Sequence, residues 1–401
     1  MVVGQQFKNS FLHIFQNYFT QFLNILFIYL LTANLSIEKV GLYGLCRSIL
    51  AILEFSNLGT RFGLDFVLPF KKESTNQYSK STLSLNFWIS ILIVIIVSLI
   101  YRDFDLSIFL IGGVFFLIFN LVRLINRAKG NTVIFIKQSF LHNSVPLLFQ
   151  ILGLFVYGFR GVVIGFLVGS ILNLFISKAN FFDFISYKPK PNLVLNLIRR
   201  GRGLFILSFL TIAVVSIDRI FIDYFYGSEF TGLYTFLTLI LSSFAILPNS
   251  ITELAINKIV KNVKNVKNSN YILLLNSLII SSTSLLLFGI LYFLMNYILT
   301  ILFPDYLIIE NEIKIALIYI LPFGLLGILQ YNLIAQKKHN VVIFSNIFGA
   351  VLYYIILVYI GTYYSSESAL LFLTYNKIIY AFFMLLLLLF FYIRTQLKLN
   401  K

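Results

Sequence analysis

Glu38-Lys39-Val40-Gly41-Leu42-Tyr43 follows the first apolar run of this 401-residue chain, and Glu229-Phe230-Thr231-Gly232-Leu233-Tyr234 follows the seventh. A second pair keeps the same order. Lys129-Gly130-Asn131-Thr132-Val133-Ile134-Phe135 precedes the fifth run, and Lys338-His339-Asn340-Val341-Val342-Ile343-Phe344 precedes the eleventh. Two matches at corresponding places make internal duplication a better reading than chance. Each half then holds an even number of runs, so the halves are parallel repeats about an axis along the membrane normal.

The runs cover 11–33, 41–64, 82–101, 106–126, 139–158, 161–180, 203–225, 231–256, 271–301, 314–335, 340–361 and 368–393. Each supplies the roughly 20 mostly apolar residues that a membrane helix needs. Charged residues are only 11% of the chain and hydrophobic residues 59%, whereas a soluble domain is roughly 25% charged. The expected fold is an all-α membrane protein, with twelve transmembrane helices in two parallel six-helix lobes around a central cavity. Residues 1–185 form the N-terminal lobe and 203–401 the C-terminal lobe. Between them, 186–202 reads as a basic cytoplasmic linker carrying Lys188-Pro189-Lys190-Pro191.

The net charge of +16 is sorted by side. One side keeps only Lys39, Arg102, Arg160 and Lys314, yet it holds Glu38, Asp103, Asp105, Asp223, Glu229, Asp305, Glu310, Glu312 and Glu367. Basic short loops stay inside, so both termini are expected in the cytoplasm, with the chain in a bacterial inner membrane. The charge is an orientation signal and not a nucleic-acid footprint. Arg199-Arg200-Gly201-Arg202 and the Val-Lys-Asn triplets from Val260 to Asn268 suit contact with anionic membrane lipid, worth about 1 kcal/mol per charge. No cleavable signal pattern precedes the first span, which is expected to stay in the mature protein.

Several chemistries lack their residues. Cys46 is the single cysteine and sits in a span, which excludes disulfides and cysteine-based metal sites. There is no phosphate-binding Gly-rich loop, no zinc pair and no Ser-His-Asp set, and Gly201-Arg202-Gly203 does not continue into a dinucleotide fingerprint. Every external loop is short. The chain is expected to be no enzyme, with no catalytic residues, metal or cofactor.

Eight ionisable residues fall within spans: Arg47, Glu54, Arg61, Asp65, Asp218, Arg219, Glu253 and Lys377. Each central charge costs roughly 2.5–3.5 kcal/mol on insertion scales. On a continuous helix turning about 100° per residue, Arg47, Glu54, Arg61 and Asp65 share one face, and Arg61 and Asp65 lie one turn apart as a direct pair. Two readings stand side by side: structural ion pairs between helices, or unmatched cations lining a cavity for an anionic substrate. For the second, Arg47 and Arg61 lead, because guanidinium grips phosphate bidentately. Lys377 is either a cavity cation or a counter-ion to Glu54 or Asp218. His13, Asn17, Thr20 and Asn24 form a polar stripe on span 1 that serves either to line a cavity, with sugar hydrogen bonds, or to bond neighbouring helices. Gly161, Gly165 and Gly169 allow close helix packing.

Three stretches carry a resemblance. They are Ser36 to Gly59 with Gly41-Leu42-Tyr43 and Asn57-Leu58-Gly59, Ser216-Ile217-Asp218-Arg219 through Leu247-Pro248-Asn249-Ser250, and Tyr331 to Ala350 with Ala335-Gln336-Lys337-Lys338. On these the chain resembles the polysaccharide biosynthesis, or O-antigen flippase, family of the multidrug/oligosaccharidyl-lipid/polysaccharide exporter superfamily. The resemblance implies a flippase that moves undecaprenyl-pyrophosphate-linked oligosaccharide, an O-antigen or capsular repeat unit, by alternating access. It implies Arg47, Arg61 and Arg219 as substrate-binding residues, to which the reading of the spans adds Lys377 and Asn24. Glu54, Asp65, Asp218 and Glu253 are then ion-pair partners or couple transport to H+ or Na+. A glycan polymerase and a chain-length regulator are the implied protein partners. The alternatives are a multidrug or small-cation antiporter of the same superfamily, and a membrane glycan polymerase or ligase.

Overall fold

The computed structural model describes residues 2–68, 75–176, 185–262, 266–336 and 338–399, which are helical with no strand among them. Eight helices are long and apolar enough, by length and composition, to cross a membrane. Two of these, Val133–Ile176 and Pro191–Ala245, fold back at a glycine and hold two rods each. With α1 (Val2–Asn34) and the α2–α3 pair (Ile37–Leu53 and Thr60–Val67), the described residues give twelve rods, matching the twelve apolar runs. Among the described residues this is an all-α architecture.

The chain divides into two compact units, Met1–Lys39 with Leu45–Phe209, and Val40–Gly44 with Leu210–Lys401. The first contains α1, most of α2, α3, α4 (Thr75–Tyr101), α5 (Phe104–Ala128) and α6 (Thr132–Ile176). In α6 the helix breaks at Tyr157 and Gly158, where Gly158 takes φ 59°. The two arms then run back against each other: a Cβ on Gly161 would lie 1.8 Å from the Gly153 carbonyl oxygen, and one on Gly165 2.1 Å from that of Phe149. The glycines at every fourth position thus let backbone meet backbone.

Residues 186–202, expected as a linker, become helix from Pro191, the start of α7 (Pro191–Ile212). Proline suits the first helical turn because its missing N–H has no partner to lose there. This helix belongs to the first unit's packing. Asn196 donates to the Tyr78 hydroxyl at 3.1 Å, Ser84 donates to the Tyr187 carbonyl at 2.7 Å, and a Cβ on Gly201 would lie 2.1 Å from the Gly59 carbonyl. A glycine at that contact is what turns a basic connector into a packed element.

The second unit holds a π-turn (Ala213–Ile217), α8 (Asp218–Asn262, broken at Gly227), α9 (Val266–Leu302), α10 (Glu310–Ala316), α11 (Ile320–Ala335), α12 (His339–Tyr363) and α13 (Ser366–Leu399). It also holds Val40–Gly44, the Gly-Leu-Tyr copy from the start of α2. There a Cβ on Gly41 would lie 2.0 Å from the Ser228 carbonyl oxygen and 2.8 Å from the Gly232 nitrogen. The two copies of the motif therefore touch.

Polarity is distributed inside-out. Ser84, Ser90, Asn86, Asn173 and Asn346 are buried, while Leu99, Phe155, Phe293, Ile355 and Leu386 are exposed. In a hydrocarbon solvent, exposed apolar side chains cost nothing and polar groups must find internal partners.

Candidate substrate site

The span read as one helix over 41–64 is broken in its second half. After α2 the chain makes a 3-10 turn over Glu54–Asn57, and Leu58 and Gly59 then take left-handed φ of 45° and 82° before α3 begins. Asn57 makes the turn: its side chain accepts from Gly59 N at 2.9 Å and donates to the Glu54 carbonyl, and its own carbonyl accepts from Thr60 Oγ1 at 2.6 Å. An asparagine side chain that bonds the backbone two residues on replaces helical hydrogen bonds with a turn. α4 braces it, with Ser90 Oγ donating to Ser56 Oγ at 2.8 Å and Asn86 Nδ2 to Thr60 Oγ1 at 3.3 Å.

The break resets helical phase, so the single stripe of Arg47, Glu54, Arg61 and Asp65 does not form as expected. Arg47 is exposed. Arg61 turns back to Glu54 across the break, Nη1 to Oε2 at 3.6 Å, with the two side chains 27% and 32% exposed. Asp65 does not pair with Arg61. It takes Arg127 of α5 instead, at 2.6 Å.

Around this break lies a small, partly open cleft. Arg61 and Glu54 line it together with the carboxamides of Asn57, Asn86 and Asn120, the Ser56 hydroxyl, Leu117 and Leu121. Asn120 carries a further cation, accepting from Arg123 Nη2 at 2.7 Å, while Arg123 Nη1 reaches Ser139 Oγ at 3.4 Å. Arg123 and Arg127 both sit over the Phe135 ring, 5.6 and 5.9 Å from its centroid. Such contacts hold guanidinium groups in place by attraction to the ring face. Amides suit hydroxyl groups and the Arg61 guanidinium suits an anion, although here Glu54 already pairs with it.

The second unit assembles a different cluster at Asp218. Lys377 Nζ lies 2.9 Å from Asp218 Oδ2, and the Tyr353 hydroxyl donates to the same oxygen at 3.0 Å, as does that of Tyr234. Arg219 N donates to Oδ1 at 2.9 Å. The π-turn just before Asp218 has a visible partner: the Tyr354 hydroxyl donates to the Ala213 carbonyl at 2.6 Å. Single wide turns of this kind concentrate at functional sites. Arg219 itself is buried and donates from Nη2 to Thr238 Oγ1 at 2.7 Å.

The sequence-derived residues therefore separate. Glu54, Arg61 and Asp65 share the first unit's cluster, and Asp218, Arg219 and Lys377 share the second unit's. Asn24 on α1 is half-buried and bonds its own neighbour Gln21 at 3.5 Å. The side chains of Glu253, His13 and Asn17 lie outside the described residues. Sequence reasoning missed Asn120, Arg123 and Arg127, and it missed Tyr234 and Tyr353. An i, i+3, i+7 spacing of Asn120, Arg123 and Arg127 puts the three on one helix face, and that signal was present.

No family model matches the chain, and no curated protein matches it. Solved structures do. A multidrug resistance MATE family transporter of the MOP superfamily, inward-facing, aligns at TM-score 0.69 and 11% identity over 91% of this chain and 93% of that one. The lipid II flippase MurJ, inward closed, aligns at TM-score 0.66 and 17% identity over 94% and 87%. A MOP superfamily transporter from Pyrococcus furiosus, described by a reverse polarity of its binding pocket that suggests a different function, aligns at 0.60 and 14% over 94% and 93%. At these identities the likeness shows the fold: this chain has the fold of the MOP superfamily transporters.

Proposed function

We propose that the chain is a flippase for a lipid-linked oligosaccharide joined to its lipid through pyrophosphate, moved across a bacterial inner membrane by alternating access. The observation that carries this reading is the first unit's cleft, where Arg61 and three asparagine amides share one opening. Guanidinium suits phosphate and amides suit sugar hydroxyls. A neighbour of the same fold is characterised by the polarity of its pocket, which makes polarity the property to weigh here. Asp218, paired with Lys377 inside the second unit, is the residue we assign to coupling with H+ or Na+.

A second reading keeps the fold and changes the cargo. Glu54 in the cleft, and a carboxylate bonded by two tyrosines at Asp218, are features that also suit a cation antiporter, and one neighbour is a multidrug transporter.

The two readings part in proteoliposomes. With a fluorescent lipid-linked oligosaccharide, the wild-type chain should move label between leaflets and leave the molecule chemically intact, and Arg61→Ala should lose that movement at equal protein abundance. Full glycolipid movement by an Arg47→Ala/Arg61→Ala protein would remove the cavity-cation role of these residues, and accumulation of a cationic dye with no glycolipid movement would favour the antiporter.

A further inference from the structure

We propose that Arg123, together with Arg61, is a cation that grips the phosphate-bearing end of the substrate, a lipid pyrophosphate or phosphate monoester; this rests on the flippase reading above. The cluster contains three arginines and two carboxylates, and the geometry shows which cation is left over. Arg61 has Glu54 at 3.6 Å and Arg127 has Asp65 at 2.6 Å. Among the described residues no carboxylate lies within ion-pair distance of Arg123. Its partners are the neutral oxygens of Asn120 and Ser139, the second at a long 3.4 Å, and its Nε is buried without a hydrogen-bond partner.

A guanidinium carries five N–H donors in a planar fork. Two of those on Arg123 are engaged, both on uncharged atoms, so its charge is unbalanced and donors remain for an anion. A buried, unsatisfied donor on a charged group is expensive to keep, and the neutral partners of Arg123 leave that cost uncompensated. Position agrees with this role. Asn120, the residue Arg123 holds, is itself a wall of the cleft, and Arg123 shares the Phe135 ring with Arg127. An anion seated at Arg123 would also offset the repulsion between these neighbouring arginines. Ser139 and Phe135, on the first arm of α6, tie the position of the guanidinium to a second helix.

The test is equilibrium binding of tritiated geranylgeranyl pyrophosphate to the full-length chain in detergent micelles. Arg123→Gln should weaken binding by about 10- to 100-fold, as expected for loss of a charge-assisted hydrogen-bond donor, and Arg123→Lys should recover part of it. The double variant Asp105→Asn/Arg160→Gln, which preserves net charge and removes a pair outside the cleft, should stay within about threefold of wild type. Wild-type binding by Arg123→Gln, or loss of binding in the double variant, overturns the assignment to Arg123 and leaves the flippase reading standing. Geranylgeraniol binding as tightly as the pyrophosphate overturns that reading itself. Phosphatidylglycerol competing equally well would make the site one for anionic lipid in general, and would also overturn the proposal. Should Arg123→Gln fail to fold, phenylglyoxal modification of the wild-type chain decides: the pyrophosphate lipid should shield Arg123 and geranylgeraniol should not, and unchanged modification of Arg123 counts against us.

Discussion

Asp218 has no exposed surface, and its carboxylate is held by an ammonium, two phenols and a backbone amide. A buried pair of this kind is worth little as a pair, yet removing one partner strands the other charge, at a cost of about 3–5 kcal/mol. Lys377→Met and Asp218→Asn should each lower the unfolding temperature in micelles sharply, and Asp218→Asn/Lys377→Met should recover much of the loss. Single variants that melt like wild type would mean that water reaches the pair. From sequence, the partner of Lys377 was open between Glu54 and Asp218. Both acids sit in apolar runs, and only the packing of α8 against α12 and α13 brings Tyr234, Tyr353 and Lys377 to one oxygen. Charge in a span was legible; choice of partner depends on tertiary contacts that periodicity does not encode.

At the level of elements, the glycines of α6 and the turn after α2 show the two sides of this limit. Gly161, Gly165 and Gly169 announce a packing face through spacing alone, because fourth-residue repeats fall on one side of a helix. With a Cβ at Gly161 only 1.8 Å from the Gly153 oxygen, Gly161→Val should yield little monodisperse protein on size exclusion. Gly289, with nothing within 4 Å of its Cβ position, should accept valine at unchanged yield. The turn at 54–59 was harder to see. Apolar residues flank it on both sides, so hydropathy runs straight through. Its only sequence mark is Ser56-Asn57-Leu58-Gly59, in which an asparagine bonding the backbone and a glycine permitting positive φ stop a helix within one turn. Missing those residues misplaced the stripe of charges, since every side chain beyond the turn has a new phase.

For the whole molecule, the twelve rods and the exposed apolar surface follow from composition, because hydrocarbon tolerates only backbones that satisfy themselves. Orientation is a separate inference from the sorting of lysine and arginine. Cys46 is buried, so a Cys46→Ala background would carry no competing thiol. In that background Glu367→Cys should react with a membrane-impermeant maleimide on intact cells, and Lys188→Cys only after permeabilisation; the reverse pattern would invert the topology. The end of the first half was the least legible boundary. Lys188-Pro189-Lys190-Pro191 has the look of a connector, but the helix it starts is anchored through Asn196 and Gly201, whose contacts lie more than a hundred residues earlier in the chain.

The meeting of Gly41 with Ser228 and Gly232 carries a consequence for how such a chain can change over time. Here two copies of one motif, both inside the second unit, are each the mould for the other. Any atom added to the first copy needs a matching retreat in the second, so at this spot the twins are bound to vary together or not at all.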